Sequence, residues 1–225
     1  MIQKLIAVQA NWLAKKLDYG KSEEEILNYS LNLVFTIILG YGLLTIAAGL
    51  LGVLPTALAA AVSASVLRSF SGGAHASRIS RCVVLGAVIF SAIGWLAAVG
   101  IPGLEESAYS DIRSLKARVF IIMIIVIGTG IIYFFAPAPA PSKPKQTHLQ
   151  EVVMMSCSLV LLWWWGATVW LINSMQWGIK HQEVLLASQL GIVWQLFSLT
   201  PWGFGLLRGG EKFIDFLFRI NSEKA

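Results

Sequence analysis

The chain has 225 residues, of which 56% are apolar and only 13% are charged, and its mean hydropathy is +0.71. Soluble domains carry about 25% charged residues, so this composition excludes an ordinary soluble globule and indicates an integral membrane protein. The net charge of +5 comes from cations scattered singly or in pairs, without the basic stripe that nucleic-acid binding requires.

The first predicted element is an amphipathic helix over residues 1–17, which we expect to lie in the membrane interface with Trp12 as its anchor. Its apolar face is formed by Ile2, Leu5, Ile6, Trp12, Leu13 and Leu17. The sequence Asp18-Tyr19-Gly20 breaks this helix. Ser22 followed by Glu25 predicts a capping box at the start of the next one.

Six apolar blocks are candidate membrane spans, which predicts an all-α bundle of about six transmembrane helices. They cover residues 31–51, 53–67, 82–101, 119–136, 152–172 and 184–207. The second block reaches only about 22 Å at 1.5 Å per residue, so it either uses residues 68–70 as a snorkelling end or re-enters the membrane. Its small residues predict close packing in the bundle interior. For the tryptophan run 163–165, in the middle of a span, we also expect packing inside the bundle.

The distribution of cations predicts the orientation in the membrane. With six spans, both termini share one side with the loops 68–81 and 137–151, and the second of these loops is stiffened by prolines. That side holds thirteen cations: Lys4, Lys15, Lys16, Lys21, Arg68, Arg78, Arg81, Lys143, Lys145, Arg208, Lys212, Arg219 and Lys224. The other side holds four: Arg113, Lys116, Arg118 and Lys180. Because Lys and Arg collect in cytoplasmic loops, we expect both termini and the 68–81 loop to be cytoplasmic.

The loop at 68–82 contains the residues best suited to chemistry. It has a glycine pair, Gly72-Gly73, then His75, and Cys82 at the start of a predicted span. With Ser80 as the N-cap, Cys82 falls in the first helical turn, where the helix dipole favours a thiolate. A cysteine nucleophile also needs a base within hydrogen-bond reach, and His75 is the candidate.

A His75–Cys82 dyad requires that the chain between the two residues is not helical. On one continuous helix they would be separated by about 10.5 Å of rise, whereas proton transfer needs heavy atoms roughly 3 Å apart. The glycine pair provides the backbone freedom for a turn. A single straight helix over 72–82 would exclude the dyad.

Structural explanations remain open for each of these residues. A histidine in a polar loop is often only solvated, and a cysteine at a span start is often a packing residue. Cys157 is most simply a core residue, and the spacing of His75, Cys82, His148 and Cys157 matches no common zinc motif. We therefore expect no metal and no cofactor. Charged residues are nearly absent from the spans, which disfavours an ion-coupled transporter.

The motif resembles the active-site signature of the accessory gene regulator B (AgrB) family, multi-pass membrane cysteine endopeptidases of Gram-positive bacteria that process quorum-sensing propeptides. The resemblance is carried by Arg68, by the string Gly72-Gly73-Ala74-His75-Ala76, and by Cys82. Further along, Ala136-Pro137 and Lys143-Pro144 are similar to the family's Ala-Pro…Lys-Pro loop. Chain length, the amphipathic N-terminus and the number of spans agree, so the resemblance covers most of the chain.

The resemblance implies that Cys82 is the nucleophile and His75 the general base and then acid. The substrate would be a small precursor peptide with an amphipathic leader and an acidic C-terminal tail. Cleavage of the tail would leave a thioester on Cys82, and a Cys or Ser of the precursor would close a thiolactone or lactone ring. From their charge we take Arg68, Arg78, Arg81, Lys143 and Lys145 as candidates to bind the acidic tail, although positive-inside topology alone also explains the arginines.

The predicted organisation is a single membrane domain over 1–225. Residues 1–30 form the interfacial helix and its cap, 31–207 the bundle with the active-site loop 68–82, and 208–225 a cytoplasmic tail. We expect the lipid bilayer of a Gram-positive cell membrane as surroundings, with no nucleic-acid partner, and a homodimer stays open. The alternative function is a non-enzymatic multi-pass peptide exporter or escort protein, in which His75 and Cys82 are incidental.

Overall fold

The computed structural model describes residues 2–74, 79–100, 110–138, 147–175 and 179–222. Within these residues, all regular elements are helices, as the composition predicts. There are eight of them: α1 (Ile2–Lys16), α2 (Lys21–Leu50), α3 (Leu54–Ser71), α4 (Ile79–Gly100), α5 (Ser110–Phe135), α6 (His148–Ser174), α7 (Ile179–Leu199) and α8 (Pro201–Ser222).

Five of the described helices, α2 to α6, are long and apolar enough to cross a membrane, and α7 with α8 adds a sixth if this bent pair is one span. The all-α membrane fold and the number of about six spans are thereby confirmed. The protein is a multi-pass membrane protein.

The N-terminal helix forms as predicted, and the face that it packs against the protein shares Ile6 with the predicted apolar face. It ends at Lys16, and Asp18 follows with a positive φ of 54°. Among the side chains of α1 that the structure describes, from Ile6 onward, the buried ones are Ile6, Ala10 and Ala14, one per turn, on a helix that packs against α2. Trp12 stays exposed on the outer side, where a lipid-facing interface anchor would be placed.

The start of α2 differs from the prediction. The helix already includes Lys21, its N-cap is Gly20, and no side chain caps it, so the predicted capping box of Ser22 and Glu25 is wrong. A capping box occurs instead at the start of α6, where Thr147 and Gln150 bond reciprocally. That box satisfies two backbone donors at the N-terminus of α6.

The third helix is the centre of the bundle, and it packs against α2, α4, α6 and α7. It is continuous for 18 residues, through Ser71, so it reaches about 27 Å and extends beyond the predicted end at residue 67. Its buried small residues are Ala57, Ala60, Ala61 and Ala64, which confirms interior packing. Glycines of the partners allow the close approach: a Cβ at Gly94 of α4 would lie 2.7 Å from the Ala57 nitrogen.

The last predicted span is broken. Instead of one helix over 184–207, α7 ends at Leu199 and α8 leaves at an angle of 95°. Pro201 cannot donate a backbone hydrogen bond to α7, and the Thr200 hydroxyl accepts one from the Gly203 nitrogen at 3.3 Å. Thr200 therefore acts as the N-cap of α8 with proline at its first position, and the predicted tail at 208–225 begins within that helix.

The tryptophan run of α6 is divided between lipid and protein. Trp163 and Trp164 are 56% and 71% exposed, so the prediction that the run packs inside the bundle is wrong for these two. Only Trp165 faces inward, donating to the Ser188 hydroxyl at 2.9 Å. Ser188 is itself 2.7 Å from the Ser63 hydroxyl, so this contact links α6, α7 and α3.

The close packing of α3 and α7 predicts a stability difference between two glycine substitutions. A Cβ at Gly191 would lie 2.3 Å from the Ala60 carbonyl oxygen, whereas a Cβ at Gly86 of α4 meets nothing within 4 Å. We expect Gly191→Ala to lower the free energy of unfolding by about 1–3 kcal/mol through overpacking. Gly86→Ala should be neutral or slightly stabilising, because alanine is the better helix former. Thermal denaturation of both variants in detergent tests this, and equal melting temperatures would contradict it.

Candidate active site at the end of the third helix

The glycine pair ends α3 and begins a non-helical turn. Gly72 adopts a φ of 71° and Gly73 a φ of 140°, values that glycine reaches without strain. The Gly72 nitrogen still donates to the Arg68 carbonyl at 2.9 Å and so closes the last turn of α3. Residues 72–74 are not helical, so the chain does not form the single straight helix over 72–82 that would exclude the dyad. Of the chain between His75 and Cys82, residues 75–78 lie outside the described residues and residues 79–81 belong to α4. The connection between α3 and α4 is also shorter than the predicted 68–82 loop.

The turn is held by the end of α7. Gln195 donates from Nε2 to the Gly72 carbonyl at 2.7 Å and to the Ser71 hydroxyl at 3.1 Å. The Ala74 nitrogen donates to the Ser198 carbonyl at 3.2 Å. Ser71, Gln195 and Ser198 are all at most 1% exposed. These hydrogen bonds are therefore shielded from water, where an unpaired group is most costly.

The segment after α5 docks on the same turn. The Ala138 nitrogen donates to the Ser71 carbonyl at 2.9 Å. A Cβ at Gly72 would lie 2.7 Å from the Ala138 carbonyl oxygen. Ala136 and Ala138 join the apolar core formed by α3, α5, α6 and α7. The two stretches on which the family resemblance was based, the glycine pair and Ala136-Pro137, therefore meet in space.

Arg68 connects the turn with the fourth helix. Its side chain is half-buried, and its guanidinium donates to the Ala74 carbonyl. The same charge lies within electrostatic range of Cys82 on α4 and of Tyr29 on α2. The hydrogen bond to the Ala74 carbonyl gives Arg68 a structural use, in addition to the tail-binding role predicted for it from charge alone.

Cys82 is the fourth residue of α4 and is a half-buried free thiol. Because α4 already includes Ile79, Ser80 is its second residue, and the prediction of Ser80 as N-cap is wrong. Cys82 nevertheless lies close to the N-terminal end of the helix, where the dipole favours negative charge. Arg81 beside it is also half-buried.

Four of the predicted site residues, His75, Arg78, Lys143 and Lys145, lie outside the described residues. The structure joins Arg68 to the turn of Gly72 and Gly73 through the Gly72 nitrogen and the Ala74 carbonyl, and the Arg68 charge lies within electrostatic range of Cys82. Cys157, by contrast, is half-buried within α6. Within the described part of the chain, no three His, Cys, Asp or Glu side chains are grouped as metal ligands would be.

Sequence reasoning did not find Gln195 and Ser198. The sequence does carry a signal for them, because both are polar residues within a predicted membrane span, where such groups need partners. Their partners are more than 120 residues away in the chain, and no local pattern links the two segments.

The comparisons with known proteins identify the family of the chain. Residues 7–199 match the model of the family accessory gene regulator B. The chain belongs to the AgrB family. An AgrB-like protein of Clostridium perfringens strain SM101 is 28% identical over 220 residues, covering 96% of this chain and 99% of the relative. A second one, from strain 13, is 27% identical over the same coverage. No solved structure matches the chain.

The matched part of this AgrB protein contains the whole described site. Residues 7–199 include the glycine turn, Cys82, the Ala136–Ala138 segment and both α7 residues that hold the turn. The family is involved in accessory gene regulator processing, so the chain belongs with that system.

The docking of Ala138 on the turn predicts that two glycines with nearly the same positive φ differ in tolerance. Gly52 and Gly72 have φ values of 70° and 71°, but a Cβ at Gly52 meets nothing within 4 Å. Gly52→Ala should lower the free energy of unfolding by roughly 1–2 kcal/mol, because alanine is strained at a positive φ. Gly72→Ala should cost more, because its ψ of −146° lies outside the left-handed helical region and because the added Cβ must also displace Ala138. Chemical or thermal unfolding of the two AgrB variants measures the difference, and an equal loss would show that Ala138 does not press on the turn.

Proposed function

We propose that this protein is a membrane-embedded cysteine endopeptidase that removes the C-terminal tail of a small quorum-sensing propeptide and promotes its cyclisation. The observation that carries the proposal is the position of Arg68, which binds the turn directly before His75 and also lies within electrostatic range of Cys82. Membership of the AgrB family supports the same activity.

In the first step, His75 takes the thiol proton of Cys82, and the sulfur attacks the carbonyl carbon at the boundary between signal and tail. The tetrahedral intermediate collapses when the C–N bond breaks. His75 then gives its proton to the departing amine nitrogen of the tail. The products are the free acidic tail and a thioester that joins the signal segment to Cys82.

In the second step, a Cys or Ser within the precursor attacks the thioester carbonyl. His75 takes the proton of that thiol or hydroxyl and returns it to the Cys82 sulfur as the enzyme is released. The product is a thiolactone or lactone ring. Water would hydrolyse the thioester, so a site at the membrane boundary favours ring closure.

Binding of the acidic tail is assigned to cations on the cytoplasmic side. Arg78, Arg81, Lys143 and Lys145 are the candidates, with Arg68 mainly engaged in holding the turn. This places both termini, the α3–α4 connection and the propeptide at the inner face of a Gram-positive cell membrane. The thirteen-to-four distribution of cations supports this orientation.

The activity can be tested with purified protein in detergent or vesicles and a synthetic precursor. Cys82→Ala and His75→Ala should both abolish tail release, because each removes one member of the proton-transfer pair. Cys157→Ala is the matched control and should keep wild-type activity, since Cys157 lies within α6. Mass spectrometry of the wild-type protein after incubation with the precursor should also detect a peptide adduct on Cys82.

Undiminished tail release by both dyad variants would refute the peptidase and leave the exporter or escort function. An adduct on Cys157 in place of Cys82 would likewise contradict the assigned nucleophile.

Tail binding predicts an effect on KM that is separate from kcat. Removing both charges with Lys143→Gln and Lys145→Gln should raise KM several-fold, because an exposed ion pair contributes about 0.2–1 kcal/mol. Added salt should reduce the difference from wild type. The control is the pair Lys15→Gln and Lys16→Gln at the end of α1, which removes the same charge elsewhere. An equal rise in KM in both pairs would show that only the general positive potential matters.

A further inference from the structure

Because the last span is broken, the Ser198 carbonyl at the end of α7 has no partner within its own helix. In a continuous helix the Ser198 carbonyl would accept from the nitrogen four residues later, but α7 ends at Leu199 and α8 turns away by 95°. The Thr200 nitrogen donates to the Phe197 carbonyl at 3.0 Å, so it does not use the Ser198 carbonyl either. The Ser198 carbonyl is taken by the Ala74 nitrogen at 3.2 Å. A terminal carbonyl of α7 thus holds the residue directly before His75.

The Gln195 side chain is fully committed to the same turn. A side-chain amide has two N–H donors, and those of Gln195 reach the Gly72 carbonyl at 2.7 Å and the Ser71 hydroxyl at 3.1 Å. Its Oε1 lies 3.3 Å from the Ser198 hydroxyl, whose shorter bond is donated to the Gln195 backbone carbonyl at 2.8 Å. The side chain is only 1% exposed. It therefore has no donor left for a substrate.

The fit between the turn and α7 is tight at Gly73. A Cβ there would lie 2.9 Å from the Ser198 hydroxyl oxygen and 3.3 Å from the Gln195 amide nitrogen. Without these contacts, two consecutive glycines would have more conformational freedom than any other residue pair. The contacts of Gln195 and Ser198 with residues 71–74, which we call the α7 clamp, remove that freedom directly before His75.

We propose that Gln195 is a positioning residue that fixes His75 for proton transfer, and that Ser198 orients the Gln195 amide. This inference rests on the proposed peptidase function. Gln195 acts through residues 72–74 and does not touch the substrate. Its removal should affect the chemical step more than binding, because a displacement of about 1 Å in a reacting group can cost about 100-fold in rate.

The test compares two glutamines of α7 in the full-length protein. Gln195→Met keeps an unbranched side chain of similar size and loses both donors. Gln189→Met is the matched control, because Gln189 is on the same helix, is also buried, and makes no hydrogen bond to the described turn residues 72–74. We expect kcat for tail release to fall about 100-fold in Gln195→Met, with KM within about twofold of the control. Gln189→Met should keep the wild-type kcat.

A second variant covers the case in which Gln195→Met does not fold. Ser198→Ala removes only the hydroxyl that orients the amide, and we expect a loss in kcat of up to about tenfold, the value of one hydrogen bond. In the double variant the two losses should be less than additive in free energy, since both act through the same turn.

The outcomes separate the inference from the proposed function. Equal kcat values for Gln195→Met and Gln189→Met would overturn the positioning role, and so would a rise in KM with kcat unchanged. In both cases tail release by the wild type would still support the peptidase. If wild type releases no tail, or Cys82→Ala releases it at the wild-type rate, the proposed function itself fails.

Discussion

The site depends on one constraint: a non-helical backbone at the end of a membrane helix must find all its hydrogen-bond partners within the protein. Residues 72–74 leave the helical pattern, so their carbonyls and nitrogens lose the partners that a helix supplies. Gln195 and the Ser198 carbonyl of α7 provide replacements, and Arg68 binds the Ala74 carbonyl. Each of these bonds is stronger in a buried, water-poor environment than it would be in a solvated loop.

The same constraint explains why the last span is broken where it is. A continuous α7 would use the Ser198 carbonyl for its own ladder and leave the Ala74 nitrogen unpaired. Pro201 and the Thr200 cap end the helix one to two residues later, and the terminal carbonyl becomes available. The bend and the turn at 72–74 therefore compensate each other: each end provides a group that the other lacks. This is a physical reason for a polar, bent segment inside an otherwise apolar bundle.

Much of the fold could be predicted from local sequence, and the errors have a common cause. Hydropathy located the helices that cross the membrane, and the alanines of α3 correctly indicated interior packing. The tryptophan run was assigned to the interior although Trp163 and Trp164 face outward, because depth along a helix does not determine which face meets lipid. The glycine pair was found from its conformational freedom. The α7 clamp was not, since it joins residues more than 120 positions apart.

The contacts around the turn also bear on the choice between a peptidase and a passive escort. An escort needs an apolar surface for its cargo, and it gains nothing from fixing a short irregular segment to α3, to α7 and to the segment after α5. Ser71, directly before the glycine pair, accepts two of these hydrogen bonds. Its carbonyl accepts from the Ala138 nitrogen and its hydroxyl from the Gln195 amide. Fixing a backbone so firmly restricts where the next side chain can be, and that matters most where atoms must approach within about 3 Å. A preorganised turn directly before His75 therefore supports the proposed proton transfer more than it supports a passive escort.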